Sequence, residues 1–260
     1  MARPGSPLTT GRFGQLASFL PDCPSTQDIV RAAAANGAPE GFVAVADHQT
    51  AGRGRRGRTW SDEPGEALMF SLLLRPEPPT EQLAPLALVL GIAVAEALPL
   101  PARLRWPNDV VTGGAKLAGI LTELETPTTG GRYVVAGIGI NVNTPAHELP
   151  ETDRLPATSL LAETGERHDR LALLHDVLGR IQATYREWEE LGFPALFDRF
   201  RALDDLAGRG VVLQLGDGVT EGVAAGVDGT GRLVVQLPDG SEHRLDAGEV
   251  VRVDDDPAGR

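Results

Sequence analysis

"RLRWPNDVVTGGAKLAGILTEL", residues 103–124, decides the fold. Its apolar residues come in short runs, interrupted first by Pro107-Asn108-Asp109 and then by Gly113-Gly114. Both interruptions are turn chemistry, so the stretch reads as strand, turn, strand, Gly-Gly turn, strand. Reversals this tight join antiparallel neighbours, because parallel strands need a long crossover. The flanks agree. "GFVAVAD" (41–47) and "LMFSLLLR" (68–75) read as strands before it, and "RYVVAGIGINVN" (132–143) as a strand after it. Residues 81–98 are a mostly apolar helix that should be buried. Hairpins around one long helix give an α+β fold with a mixed, largely antiparallel sheet, not an alternating parallel one.

Further out, "PSTQDIVRAAAANG" (24–37) predicts a helix, with Ser25 and Asp28 as a capping box and Gly37 as the stop. After a polar, Pro-rich loop (144–158), Leu171, Leu174, Leu178, Ile181, Tyr185 and Trp188 fall on one helical face. Phe193, Leu196, Phe197 and Phe200 continue into a second helix. From Val211 onward, short strands alternate with glycine, and Pro238-Asp239-Gly240 marks a hairpin. This is a small C-terminal β-barrel. The expected organisation is a flexible arm at 1–14, a catalytic domain at 15–206, and the barrel with a short disordered tail at 207–260.

The chain has 260 residues and a formal net charge of −12, which argues against a general nucleic-acid binder. One cysteine, Cys23, excludes an intrachain disulfide, and the five histidines show no ligand spacing. No secretory signal or bilayer-length apolar run is present, so a cytoplasmic protein without membrane or nucleic-acid partners is expected.

Lys116 is the only lysine; the other basic residues, 23 of 24, are arginine. Composition alone allows that this position is arbitrary. Placed at a reacting centre, however, a compact ammonium differs from a planar guanidinium fork. "GRGRRGR" (52–58) puts four arginines and three glycines in seven positions. Glycine permits close backbone approach and arginine supplies forked donors, which suits a loop wrapping an anion. Such a density of like charge favours disorder until an anion binds. The Gly52-x-Gly54-x-x-Gly57 pattern is not a dinucleotide fingerprint, since "TWSDEPGE" follows instead of a helix. Asn108 reads either as a turn residue or as a ligand contact. Asp109 offers a charge for Mg²⁺ or a substrate amine. Asn141, inside an apolar strand, serves either a core network or a ligand.

Taken in order, "STQ", "QTAGRGRRGRTW", "WPND", "KLAGILTE", "GIGINVN" and a terminal β-barrel resemble the biotin protein ligases over roughly residues 20–253. The resemblance is to the short form, without a DNA-binding domain. It implies a catalytic domain like that of the class II aminoacyl-tRNA synthetases and an SH3-like C-terminal domain. The implied reaction activates biotin with MgATP to biotinyl-5′-AMP and pyrophosphate. Biotin then passes to a lysine of a biotin carboxyl carrier protein domain. A lipoate- or octanoate-type acyl ligase or transferase is the alternative.

By this resemblance, Ser25, Thr26, Gln27 and Gln49 meet the polar groups of biotin. The backbone of Arg53, Gly54 and Arg55 and the Lys116 ammonium cover its carboxylate, Trp60 and Trp106 supply apolar cover, and Gly52, Gly119 and Gly139 are also expected to bind biotin. Arg55, Arg58, Trp60, Asn108, Lys116 and Asn141 meet ATP. Lys116, Arg55 and Asp109 are the expected catalytic groups, with Asp109 also the candidate Mg²⁺ ligand. No tightly bound metal is expected, and the protein is expected to be a monomer or homodimer.

Overall fold

A computed structural model describes residues 11–61, 63–128, 131–150, 155–215 and 218–254. Residues 1–10 of the arm expected at 1–14, and residues 255–260 at the expected tail, lie outside the described residues. Phe13, assigned by sequence to the arm, is 2% exposed and packs on Tyr185 with ring centroids 5.6 Å apart.

Seven strands make the larger sheet: β1 (Ala17–Cys23), β2 (Val43–Gln49), β3 (Ala67–Leu74), β4 (Arg103–Arg105), β5 (Asp109–Thr112), β6 (Ala115–Glu125) and β7 (Tyr133–Asn141). Their order is β1-β2-β3-β7-β6-β5-β4. All pairings are antiparallel except β1 with β2. The 103–124 stretch folds as read, with Gly113 (φ 55°) and Gly114 (φ 80°) supplying left-handed residues between β5 and β6. β1 is an addition to the sequence reading. It contains Pro21, which a strand accepts at a sheet edge because proline has no N–H to donate to a neighbour.

Helix α1 (Thr26–Ala35) covers one face through Val30 and Ala34, which pack with Ala44, Leu73 and Val135. Ser25 caps it, but Asp28 does not complete the box: its carboxylate points to Arg53 and Arg31. Helix α2 (Leu86–Ala97) lies on the other face. It is apolar all round and correspondingly buried, from Leu86 through Ala95. After the short α3 (Leu160–Thr164), α4 (Arg170–Leu191) packs over α2 with Leu174, Leu178, Ile181, Tyr185 and Trp188 buried. Its ends obey helix chemistry: Asp169 accepts from the Leu171 and Ala172 amides, and Gly192 (φ 77°) ends it. α5 (Phe197–Leu203) leads to the barrel.

The barrel is a five-stranded antiparallel sheet ordered β11-β10-β9-β8-β12. Its strands are β8 (Gly210–Leu215), β9 (Gly218–Val227), β10 (Leu233–Gln236), β11 (Glu242–Leu245) and β12 (Glu249–Asp254). It docks on the β4 edge of the large sheet. In the segment that leads into the barrel, Asp205 N–H donates to Leu104 C=O at 2.9 Å, and Arg105 Nε reaches Asp205 Oδ2 at 2.6 Å. Trp106 Nε1–H donates to Gly231 C=O at 3.1 Å.

Candidate active site

Two cavities adjoin on the α1 side of the large sheet. The first has a floor made by register. Gly119 on β6 stands directly opposite Gly139 on β7, and Leu121 opposite Gly137. A Cβ on Gly139 would lie 2.6 Å from the Trp60 indole, and one on Gly119 would lie 3.1 Å from it. A Cβ on Gly137 would come within 3.0 Å of the Gln27 side chain. The floor is therefore bare because side chains from elsewhere lie over it.

The cavity wall is a hydrogen-bonded polar set. Ser25, Thr26 and Gln27 are all buried at the start of α1. Gln49 Oε1 accepts from Thr26 N–H at 2.7 Å and from the Thr26 hydroxyl at 3.1 Å. The same hydroxyl meets Ser71 Oγ at 2.7 Å. Gln27 Nε2 donates to Glu123 Oε2 at 2.6 Å. Ser71 was not foreseen from sequence, although a hydroxyl inside the apolar run of β3 is an anomaly that could have marked it. Arg53, Gly54, Arg55, Trp60 and Lys116 complete the enclosure.

The arginine loop is a tight hairpin in the structure. Gly54 N–H donates to Arg58 C=O at 2.7 Å and Trp60 N–H to Gly52 C=O at 3.0 Å. A Cβ on Gly52 would lie 2.6 Å from the Trp60 carbonyl oxygen, so the close approach requires glycine. Arg56 (φ 57°) and Gly57 (φ 72°) turn the chain through the left-handed region. The like charges expected to disorder this loop are met by carboxylates. Arg53 makes two bonds to Asp28, at 2.8 and 3.0 Å. Arg56 and Arg58 both pair with Glu249 of β12. Arg55 instead donates to Asn108 Oδ1 at 3.3 Å. Burial lowers the Arg55 pKa from its ordinary value, the Asp109 charge opposes that shift, and Arg56 and Arg58 add to it.

Asn108 is fixed from the other side, since its Nδ2 donates to Ile120 C=O at 2.9 Å. Lys116 is held by main chain: its N–H donates to Pro156 C=O at 2.6 Å and its C=O accepts from Thr158 N–H at 2.9 Å. Its ammonium lies 2.6 Å from Asp109 Oδ1, an ion pair without the alignment of a hydrogen bond, and 5.6 Å from the Trp60 ring centroid.

The second cavity lies beyond Lys116. Arg58, Asp109, Asn141, Trp106 and Ala157 line it, together with Glu249–Val253 of the barrel. Asn141 Nδ2 donates to Thr158 C=O at 2.9 Å, so its amide belongs to the local network while its residue faces the cavity. Gly54, Arg55, Trp60, Asn108 and Lys116 border both cavities. The barrel's part in the second cavity was not legible from sequence.

Among the described residues no three His, Cys, Asp or Glu side chains converge, and Asp109 is already paired with Lys116. Also among the described residues, no helix is long and apolar enough to cross a membrane.

A mostly antiparallel sheet carrying two cavities that meet at a lysine and a half-buried arginine defines a class, and sequence comparison names it. Residues 21–143 match the Biotin/lipoate A/B protein ligase family. Residues 207–253 match the Biotin protein ligase C terminal domain. The chain is 34% identical to the biotin–[acetyl-CoA-carboxylase] ligase of Mycobacterium tuberculosis, over 88% of this chain and 86% of that one. It is also 34% identical to the bifunctional ligase/repressor BirA of Bacillus subtilis, over 90% of this chain and 73% of the relative. The biotin protein ligase of Aquifex aeolicus, solved in complex with biotin and ATP, superposes with a TM-score of 0.77 and 34% identity, covering 90% of this chain and 96% of that one. The chain belongs to the biotin protein ligases.

Proposed function

We propose that the first cavity takes biotin, the second takes ATP, and that their shared border joins them as biotinyl-5′-AMP. Biotin then passes to a lysine of a carrier-protein domain. The observation that carries this reading is the border itself: Lys116, Arg55 and Asn108 face both cavities.

In the first step a biotin carboxylate oxygen attacks the α-phosphorus. An O–P bond forms, the bond to the bridging oxygen breaks, and pyrophosphate leaves. Two anions must approach, so positive charge fixed in advance at their meeting place lowers the barrier. Lys116 and Arg55 supply it. Arg55 is oriented by Asn108, and Lys116 by the Pro156–Thr158 segment. Asp109 holds the Lys116 ammonium at 2.6 Å, and the incoming anions compete with it. Mg²⁺ bound with the nucleotide would offset phosphate charge, and Asp109 would be the candidate protein ligand for it at this border. In the second step the acceptor amine attacks the acyl carbon, the C–O bond to AMP breaks, and the amine proton is lost. Asp109 is positioned to take it once Lys116 turns to the phosphate. The buried polar wall of Ser25–Gln27, tied to Gln49, suits the ureido ring of a bicyclic acid, beside a glycine floor that the Trp60 indole covers. We place this ATP-dependent activity in the cytoplasm.

The test is incubation with ATP and, separately, biotin, lipoate or octanoate, with mass spectrometry of the acyl adenylate and measurement of pyrophosphate. Biotinyl-5′-AMP alone is the expected product. Lipoyl or octanoyl adenylate at equal or greater yield would overturn the biotin assignment.

A further inference from the structure

The carboxylate of Asp28 lies outside both cavities yet touches the loop that closes the first. Its two oxygens receive Arg53 Nη2 at 2.8 Å and Nη1 at 3.0 Å, a forked pair that fixes orientation as well as distance. Asp28 also receives Arg31 Nη1 at 3.0 Å. Arg31 does not depend on it, because Glu123 and Glu125 hold the same guanidinium at 2.6 and 2.7 Å. Removing Asp28 therefore releases Arg53 and leaves Arg31 anchored. The bond from Arg53 is the largest influence lowering the Asp28 pKa, with burial opposing it. The pair joins the hairpin at Arg53, which lines the first cavity, to the first turn of α1, directly after the lining residues Ser25–Gln27.

We propose that Asp28 is a positioning residue that clasps the arginine hairpin over the acid-binding cavity by holding Arg53. Resting on the assignment of that cavity to biotin, this gives the Arg53 side chain a different task from its neighbours. Its two terminal nitrogens are committed to Asp28, so the main chain of Arg53–Arg55 and its buried Nε, which has no partner in the structure, are what face a bound acid. The other end of the hairpin has its own anchor in Glu249, through Arg56 and Arg58. Loss of Asp28 should thus loosen one end of the loop and leave the other attached. Both Asp28 and Arg53 are partly exposed, so the effect is that of a good surface pair, about fivefold.

Two measurements test it. The first needs no activity. Trypsin cleavage within residues 53–58 should be about fivefold faster in Asp28→Ala and Asp28→Asn than in the unmodified protein, and near normal in Asp28→Glu. Equal cleavage rates in all four proteins, with unchanged circular dichroism, would overturn the clasp whatever the cavity binds. The second is steady-state pyrophosphate release. Asp28→Ala should raise the KM for biotin about fivefold with kcat within about twofold. The Asp28→Ala/Arg53→Ala double variant should be no worse than Arg53→Ala alone. A fall in kcat at unchanged KM, or effects that multiply, would overturn it. Unmodified protein that releases no biotin-dependent pyrophosphate while the trypsin result holds would count against the biotin assignment and not against the clasp.

Discussion

The two cavities are built on different principles. The biotin-side cavity is made by the register of one sheet and the first turn of one helix. Its glycines face each other across β6 and β7, and its polar groups are tied together through Thr26, Gln49 and Ser71. The nucleotide-side cavity is assembled between two modules. Glu249–Val253 of the barrel form one wall, and the barrel is held by Trp106–Gly231 and Arg105–Asp205 contacts at the edge of the large sheet. One site is rigid wherever the sheet is formed; the other depends on how two bodies dock. Preorganisation of the first suits recognition of a small acid, and on the proposed assignment of ATP to the second, its dependence on docking would give the barrel a role in nucleotide binding.

Substitutions on either side sharpen this contrast. At the shared border we predict the largest effect. Lys116→Arg keeps charge and Lys116→Ala removes it, but the place 2.6 Å from Asp109 and 5.6 Å from the Trp60 ring is held by a compact ammonium, whose point charge a planar guanidinium fork does not reproduce. Both should lose pyrophosphate release by at least about a hundredfold, comparable to losing one preorganised oxyanion donor. Transfer from supplied biotinyl-5′-AMP should suffer less. Near-normal release by the arginine variant would mean that charge alone matters there.

On the biotin side, Gly139→Ala places a methyl 2.6 Å from the Trp60 indole. Forced overpacking of this kind costs about 1–3 kcal/mol, so the KM for biotin should rise about tenfold or more. An unchanged KM would show that Trp60 is free to move. On the nucleotide side, Glu249→Ala removes the carboxylate that faces Arg56 and Arg58 and lines the second cavity. The KM for ATP should change about fivefold, with that for biotin steady. Which way it moves tells whether Glu249 chiefly positions the arginines or competes with the phosphates for them; no change at all would remove the barrel from the nucleotide site.

The smallest effect concerns the seam. Asp204 is 6% exposed between β4 and the barrel, and burial raises its pKa from the ordinary carboxylate value. The folded state therefore binds its proton more tightly than the unfolded chain does. Stability is full below the ordinary value and falls as pH rises through the raised one. Asp204→Asn keeps an acceptor for Leu206 N–H and has no charge to bury. Its urea midpoint should exceed that of the unmodified protein at pH 7 and converge with it at about pH 4, near the ordinary aspartate pKa. Parallel midpoints across that range would refute the burial argument.

The contrast also explains what the sequence revealed. Local signals were readable: the 103–124 hairpins, the apolar α2, the glycine-rich loop and the 238–240 turn all reflect short-range chemistry. β1 was not, because a short parallel edge strand containing Pro21 shows neither hairpin nor clear alternation. Asp28 was read as a cap because S-x-x-D is a local pattern, whereas its partner Arg53 is 25 residues away. Glu249 meets Arg56 and Arg58 across 193 and 191 residues, a separation at which no periodicity operates. The barrel as an element was therefore visible, and its part in the site was not.

The division of labour is tested most directly by isothermal titration of biotin, without nucleotide, into the unmodified protein, Glu249→Ala and Gly139→Ala. We predict that Glu249→Ala binds biotin within about twofold of the unmodified protein, because the Arg53–Asp28 end of the hairpin stays clasped, while Gly139→Ala loses about tenfold or more. Equal losses in the two variants, or a loss confined to Glu249→Ala, would contradict the assignment of biotin to the sheet and of the barrel to the nucleotide.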